Sequence, residues 1–496
     1  MIQNKLFHPF LPLNEYIPDG EPHVFGDRIY LYGSHDKAGG ETYCEGDYEF
    51  YSAPLYDLTN WTSRGISYRA SQDPDYGEER RYLFAPDCVQ GNDGRYYLYY
   101  AISGKNGNGG YHGPIRVAVS DAPDGPFDYY GTVSDRQGKP FVRCVPFDPA
   151  VINDDGQIRL YYGAGFPFEN YGGGIRGKLS VLIQEKMLGK TKEEILGEPL
   201  GMSGALTVEL ADDMVTVISE PKKITPAKTK GTPWEAHPFF EASSIRKIGD
   251  TYYFLYSSQA GHELCYATSR YPNRDFVYRG VVISNGDVGY HGRKFRERIA
   301  LTGNNHGSLA CVNGQWYIFY HRPTHGTNFS RQACAEPVTI RKDGSIPQVP
   351  VTSCGFSVGA LKAEGVYSAA VACILRNRHM GIAGSPLTEK YAPKIVEKGG
   401  ELYITDITHG TKTGFRYFAF SGEETEIVIT VRGSAKGTLY VGTDRDTLAP
   451  VAVNPSEEWT KVTARIAPER GRKTLLLVYR GKGRLDFREL EFIRRK

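Results

Sequence analysis

One strand pair recurs five times along the chain and limits the fold more than any other feature. The copies are DGEPHVFGDRIYLYG from Asp19, DCVQGNDGRYYLYYA from Asp87, DPAVINDDGQIRLYYG from Asp148, EASSIRKIGDTYYFLYS from Glu241 and HGSLACVNGQWYIFYH from His306. Each joins a short apolar run to a Tyr-rich run through a tight turn. Asn-Asp-Gly, Asp-Asp-Gly, Ile-Gly-Asp and Asn-Gly supply the positive φ such turns need. The flanking runs alternate and carry β-branched and aromatic residues. The residues after the turns are Arg28, Arg95, Gln157, Thr251 and Gln315, spaced by 67, 62, 94 and 64 positions. Five units of that size predict an all-β fold, a five-bladed β-propeller of four-stranded blades. The long interval contains EKMLGKTKEEIL (185–196), whose spacing and helix formers predict one inserted surface helix.

After residue 352 the pattern changes. ELYITDI, EIVITVRG, GTLYVGT, WTKVTARI, TLLLVYRG and LDFRELEFI are short alternating runs, the signature of a β-sandwich. The stretch VPVTSCGFSVG, rich in Pro, Gly and Ser, marks the boundary. The expected domains are therefore 1–352 and 353–496.

The bulk properties narrow the partners. The 59 basic and 57 acidic residues leave a net charge of +2, which gives no reason to expect nucleic acid or an anionic membrane. No apolar stretch of membrane-spanning length occurs, and the N-terminus shows no secretory pattern, so a cytoplasmic protein is expected. The eight cysteines form no C-x-x-C pair and read as free thiols, not zinc ligands.

The repeat register carries a second pattern. A polar residue opens every copy, 8 to 10 positions before the turn anchor: Asp19, Asp87, Asp148, Glu241 and His306. In a propeller the innermost strands surround a common axis, so equivalent positions converge on one funnel. Four carboxylates and a histidine in one place are costly unless they serve chemistry. Clustered like charges also drive pKa values apart, which separates an acid from a base. For any one Asp, capping a turn is the alternative reading; Asp87, in APD, fits that alternative best.

These segments resemble glycoside hydrolase family 43, a family of five-bladed propellers that invert the anomeric centre. The resemblance covers roughly residues 8–350. It implies a general base at Asp19, an orienting and pKa-tuning carboxylate at Asp148, a general acid at Glu241 and an axial histidine at His306. The usual Asp-Pro at the base reads Asp19-Gly20 here. Phe84, in LFAPD, stands where relatives place a stacking aromatic, and Arg331, in NFSRQ, resembles an arginine that reaches the pocket. Asp87 and His35 are further candidates for the funnel and its mouth. The implied activity is exo-cleavage of xylo- or arabino-oligosaccharides, as a β-xylosidase or α-L-arabinofuranosidase. No cofactor is required; a calcium ion beside His306 is the one metal the resemblance leaves room for.

The residue types suit that chemistry independently. Inversion needs one carboxylate to activate water and one carboxylic acid to protonate the leaving oxygen. Glu241 lies beside Phe239 and Phe240, an apolar flank that raises a carboxyl pKa. Residues 360–496 resemble a family-6 carbohydrate-binding module, with Lys362 and Arg488 where that module often has acids, and with Trp459 read as core. The rival readings are a non-catalytic glycan-binding propeller and another five-bladed glycosidase, of galactanase or arabinanase type. Regular 40–45-residue interaction repeats and a phosphate-binding cation cluster are both missing from the pattern.

Overall fold

The five predicted hairpins are the first two strands of five consecutive sheets. The computed structural model describes residues 8–105, 111, 113–166, 174–226, 228–380, 385–443, 448–467 and 469–494. The first sheet runs β1 (Glu21–Phe25), β2 (Arg28–Tyr32), β3 (Tyr51–Pro54) and β4 (Thr62–Ser63). The second holds β5 (Tyr82–Gln90), β6 (Tyr96–Ser103), β7 (Arg116–Ser120) and β8 (Asp128–Thr132). The third holds β9 (Ala150–Asp154), β10 (Gln157–Ala164), β11 (Gly204–Leu210) and β12 (Lys222–Lys223). The fourth holds β13 (Phe239–Ile248), β14 (Thr251–Ser258), β15 (Glu263–Ser269) and β16 (Val277–Ser284). All four are antiparallel meanders in sequence order.

The fifth sheet differs from expectation, with three strands among the described residues: β17 (Leu309–Val312), β18 (Gln315–Pro323) and β19 (Arg331–Val338). The N-terminal segment covers its outer edge instead. The Phe10 N–H donates to the Ala333 carbonyl, and the Ala335 N–H donates to His8 Nε2 at 2.8 Å. An edge strand left bare would be an aggregation template.

The turns behave as their residues require. Asp154 pairs with Gln157 across Asp155-Gly156, and Val312 with Gln315 across Asn313-Gly314. All four central residues have positive φ, which is the two-residue hairpin geometry that matches strand twist.

The first strands close into a ring. An Asp87 carboxylate oxygen accepts from the Val151 N–H at 2.7 Å, and Asp148 accepts from the Ala242 N–H at 2.9 Å. Ser244 donates to Ser308, and Gly20 bridges Gly307. Sheets two to three, three to four, four to five and five to one are thereby joined, and His23 Nε2 to Asp87 Oδ1 at 2.6 Å joins one to two.

Between β10 and β11 the single predicted helix is two: α1 (Gly174–Leu188) and α2 (Lys192–Gly197). Gly189, at φ 63°, ends the first, and Thr191 caps the second by accepting from the Glu194 N–H at 3.2 Å.

The C-terminal strands form two six-stranded sheets that share one apolar core, including Phe415, Phe418, Ile427, Leu475 and Phe487. All six sequence-predicted runs are strands there. Trp459 is not core. It is half-buried, with its ring under Arg432 at 4.2 Å and Arg488 at 5.0 Å and its Nε1–H donating to Glu401. All eight cysteines are free thiols, buried except for the half-buried Cys311. Among the described residues no helix is long and apolar enough to cross a membrane.

Candidate active site

A cavity of about 250 Å³ opens at one end of the ring. Two kinds of segment line it. The starts of first strands bring Asp19, Asp148, Glu241 and His306; the loops between second and third strands bring Tyr43, Cys44, Tyr111, Phe166, Met187 and Leu188, and the start of the third strand β19 brings Arg331. These are the same rim of the ring, because a strand-two end and a strand-one start lie side by side in an antiparallel sheet.

The backbone is bent where the acids sit. Asp19 and Asp148 have φ of 58° and 47°, and Ala242, next to Glu241, has 66°. The β13–β14 register shifts on both sides of Glu241. A non-glycine residue with positive φ is held by its surroundings at a cost, and such positions concentrate at functional sites. The bulge turns the Glu241 carboxyl into the cavity. Phe240 lines the cavity too, whereas Phe239 packs into the interior against Phe254 and Tyr256.

Asp19 is nearly enclosed, and Arg331 and His321 hold it. Arg331 Nη1 donates to its Oδ1 at 2.9 Å. Its backbone N–H donates to His321 Nδ1 at 3.1 Å, while His321 Nε2 donates to the Asn304 carbonyl at 2.8 Å. That pattern defines a neutral imidazole, and burial together with the Arg331 charge pushes the His321 pKa down to about 3. Burial alone would raise the Asp19 carboxyl, but the charges of Arg331 and His306 outweigh it, so its pKa is lowered. Asp19 stands as a carboxylate.

Asp148 and Glu241 go the other way. Burial, added to the Asp19 charge and opposed by His306, pushes Asp148 up to about 6. Burial first, then the negative charges of Asp148 and Asp19, push Glu241 up to about 8. Glu241 stands protonated at neutral pH. The three carboxyls thus divide into one base-like group, one acid-like group and a neighbour whose charge raises the acid.

His306 is buried, with Nδ1 4.0 Å from Asp148 Oδ2 and Nε2 3.7 Å from Glu21 Oε1. Burial lowers its pKa, but the carboxylates of Glu21, Asp148 and Asp19 overcome this and raise it to about 9. Glu21 was not singled out from the sequence. It opens β1, two residues after Asp19, and is fully buried, with Oε2 held by Arg246 at 2.8 Å and by Ser244 at 3.2 Å. The signal available was a second carboxylate beside the first of the repeat-opening acids, in DGE.

Of the other candidates, Phe84 and Arg331 line the cavity. Arg331 is clamped from behind: Nε and Nη2 donate to the two oxygens of Asp36 at 2.8 and 2.9 Å, and its guanidinium lies 4.9 Å from the Tyr43 ring. Asp87 does not line it. β5 begins at Tyr82, earlier in its repeat than the other first strands, so Phe84 takes the rim position and Asp87 falls inside the ring. There Asp87 joins sheets by its bonds to His23 and Val151, the capping alternative in another form. His35 is also off the cavity, bonded to the Asp47 carbonyl at 2.9 Å and 3.5 Å from Glu15; its neighbour Asp36 is the residue that matters.

A second surface of the cavity is apolar. Phe84, Val145, Phe147, Phe166 and Leu188 pack in one cluster, with Tyr111 4.6 Å from Phe147 and 5.5 Å from Phe84, ring to ring. Apolar platforms beside a few convergent polar groups make a small-molecule site.

Comparison with known proteins agrees with this geometry. The sequence model of glycosyl hydrolases family 43 matches residues 13–180 and 190–346. A xylosidase/arabinosidase of Thermoclostridium stercorarium is 39% identical over 97% of this chain and 98% of its own length. Among solved structures, a family-43 β-xylosidase/α-arabinofuranosidase from a compost microbial metagenome, in complex with xylotriose, is 26% identical with a TM-score of 0.51, covering 69% of this chain and 97% of that one. The arabinoxylan arabinofuranohydrolase of Bacillus subtilis shares the fold along the whole chain, covering 100% of it and 98% of that structure at 21% identity and a TM-score of 0.50. The chain belongs to glycosyl hydrolases family 43 and is a glycoside hydrolase.

Proposed function

We propose that the enzyme cleaves single pentose units from the ends of xylo- or arabino-oligosaccharides with inversion, as a β-xylosidase with α-L-arabinofuranosidase character. One observation carries the assignment: a single cavity holds Asp19 as a carboxylate and Glu241 as an acid, with Asp148 in the same lining. Asp19 takes the proton of the attacking water. Glu241 gives its proton to the departing glycosidic oxygen. Asp148 accepts from the Ala242 N–H, fixing the backbone beside Glu241, and its charge adds to burial in keeping Glu241 protonated. Arg331 orients Asp19. The names of the relatives support the pentose class, and the small cavity supports attack at a chain end.

This chemistry draws on no cofactor. Calcium beside His306 fits the donor set poorly. The free atoms there are Glu21 Oε1 and His306 Nε2, each buried without a hydrogen-bond partner. Calcium takes six to eight oxygens, and both oxygens of the neighbouring Asp87 are already bonded. The two atoms suit a carboxylate–imidazolium pair. We further assign residues 1–352 to a catalytic propeller domain and 353–496 to a jelly roll of carbohydrate-binding-module type. The free thiols favour a reducing, cytoplasmic setting.

Proton NMR of the first product from an aryl β-xyloside tests the mechanism. The α-anomer of xylose should appear first and relax by mutarotation. Early β-xylose would mean retention and would overturn the assignment of Asp19 as a base acting on water.

A further inference from the structure

The match to the family breaks off between residues 180 and 190. That gap is where α1 reaches the cavity: Met187 and Leu188, its last two residues, line the apolar side of the site. The second half of α1, from residue 181 on, lies outside the family pattern and contributes part of the wall of the reaction site.

One face of α1 is buried along its length, at Ser180, Val181, Gln184 and Leu188, while Ile175 (87% exposed) and Leu182 (61%) face outward. Further attachments hold its cavity end. Leu188 is 1% exposed and packs in the cluster with Phe84, Phe147 and Phe166. The Tyr111 N–H donates to the Met187 carbonyl at 3.2 Å. Lys190 Nζ, just beyond the helix, donates to the carbonyls of Val142 and Cys144, both at 2.8 Å. Ile195 of α2 is buried in the same cluster. Three independent attachments within a few residues make a fixed wall, not a loose flap.

The lining is divided chemically. On the polar side, Asp19 is joined to Arg331 and, through His321, to Asn304, while His306 faces Asp148. Leu188 and its aromatic neighbours form the other. The Met187 carbonyl is already engaged by Tyr111, and the side chains of Met187 and Leu188 offer no good hydrogen-bond partner. A xylopyranosyl unit bears hydroxyls at C2, C3 and C4 and its leaving group at C1. Its C5 is a bare methylene, the one ring position suited to an apolar wall. A hexopyranose adds a hydroxymethyl group there, which needs both space and a partner.

We propose that residues 174–197 are the specificity element of this enzyme, and that Met187 and Leu188 select a pentopyranose by closing the site against a C5 substituent. This rests on the pentosidase reading above. The test compares kcat/KM on 4-nitrophenyl β-D-xylopyranoside and 4-nitrophenyl β-D-glucopyranoside, which differ only in that substituent. Met187→Ala and Leu188→Ala should each raise the glucoside-to-xyloside ratio by about tenfold or more, the scale of discrimination a packed apolar pocket provides. Leu182→Ala, on the exposed part of the same helix, should leave the ratio unchanged. If Leu188→Ala fails to fold, Met187→Ala still decides, because Met187 is 39% exposed and its truncation disturbs little core. An unmoved ratio in variants of an active enzyme, or a parallel fall on both substrates, overturns the wall alone. A wild-type enzyme inactive on the xyloside overturns the pentosidase reading as well.

Discussion

Arg331 donates Nη1 to Asp19 at 2.9 Å while Nε and Nη2 grip Asp36, so one guanidinium from the fifth sheet fixes a carboxylate at the start of the first. Asp36 holds the arginine on one side, and the arginine holds Asp19 in place and in charge. Arg331→Gln should therefore do two things. It should lower kcat/KM by about 100-fold, the order expected when a catalytic group moves by about 1 Å. It should also move the acidic limb of the pH profile upward. The sign follows from the charge: Arg331 lowers the Asp19 pKa, so its loss lets that pKa rise and the base is lost at higher pH. A variant with reduced activity and an unmoved acidic limb would remove Arg331 as the source of the Asp19 charge state.

The basic limb reports Glu241. With its carboxyl raised to about 8, activity should decline as the pH passes through about 8, because the acid must carry its proton into the reaction. Burial is the larger cause and the Asp148 charge the next. Asp148→Asn removes that charge and should move the basic limb to lower pH, with burial retaining part of the shift. A limb that stays in place would make burial the whole cause and reduce Asp148 to a hydrogen-bonding role.

The repeat register made the ring and most of its acids legible, because hairpin turns and alternating runs are local signals. β2, β10, β14 and β18 begin at the very anchors read from the turns. The same register misplaced Asp87, since a first strand that starts early shifts its rim by several residues without changing the turn. The hold of Asp36 on Arg331, and the places of Tyr43, His321 and Leu188, were not legible for a different reason. Each reaches the site from a loop or a neighbouring sheet, and contacts such as Asp36 to Arg331 join residues 295 positions apart. Such pairs leave no local period. The apolar insertion was visible as a helix, but its role depends on where its end lands.

Gly165 is a position where only a missing side chain allows the site to form. Its N–H donates to the Phe240 carbonyl at 2.5 Å, and a Cβ there would lie 2.0 Å from the Phe239 carbonyl oxygen. The backbone it would push is the one that leads into the Glu241 bulge. Gly165→Ala should thus cost about 100-fold in kcat, with the far-ultraviolet circular dichroism of the β-fold retained. Full activity would mean that the segment before Glu241 tolerates displacement.

The two halves of the chain meet through a buried charge. Arg416, from the C-terminal sheets, donates to the fully buried Asp287 at the end of the fourth sheet, and Asp287 also accepts from the Val351 N–H at 2.7 Å. Arg298 adds a bond to the Met380 carbonyl, and Cys373 and Ile374 pack into the apolar cluster between the fourth and fifth sheets. The C-terminal sheets are thus part of the enzyme's packing and not a tethered appendage. Arg416→Met leaves Asp287 buried and unpaired, a change that costs about 3–5 kcal/mol. Urea unfolding should show that loss in the first transition. Adding Asp287→Asn to the same variant should recover part of it, because the uncompensated charge, and not the lost contact, is the larger penalty. If the double variant were as unstable as the single one, the shape of the Arg416 side chain, and not its charge, would be what joins the two halves.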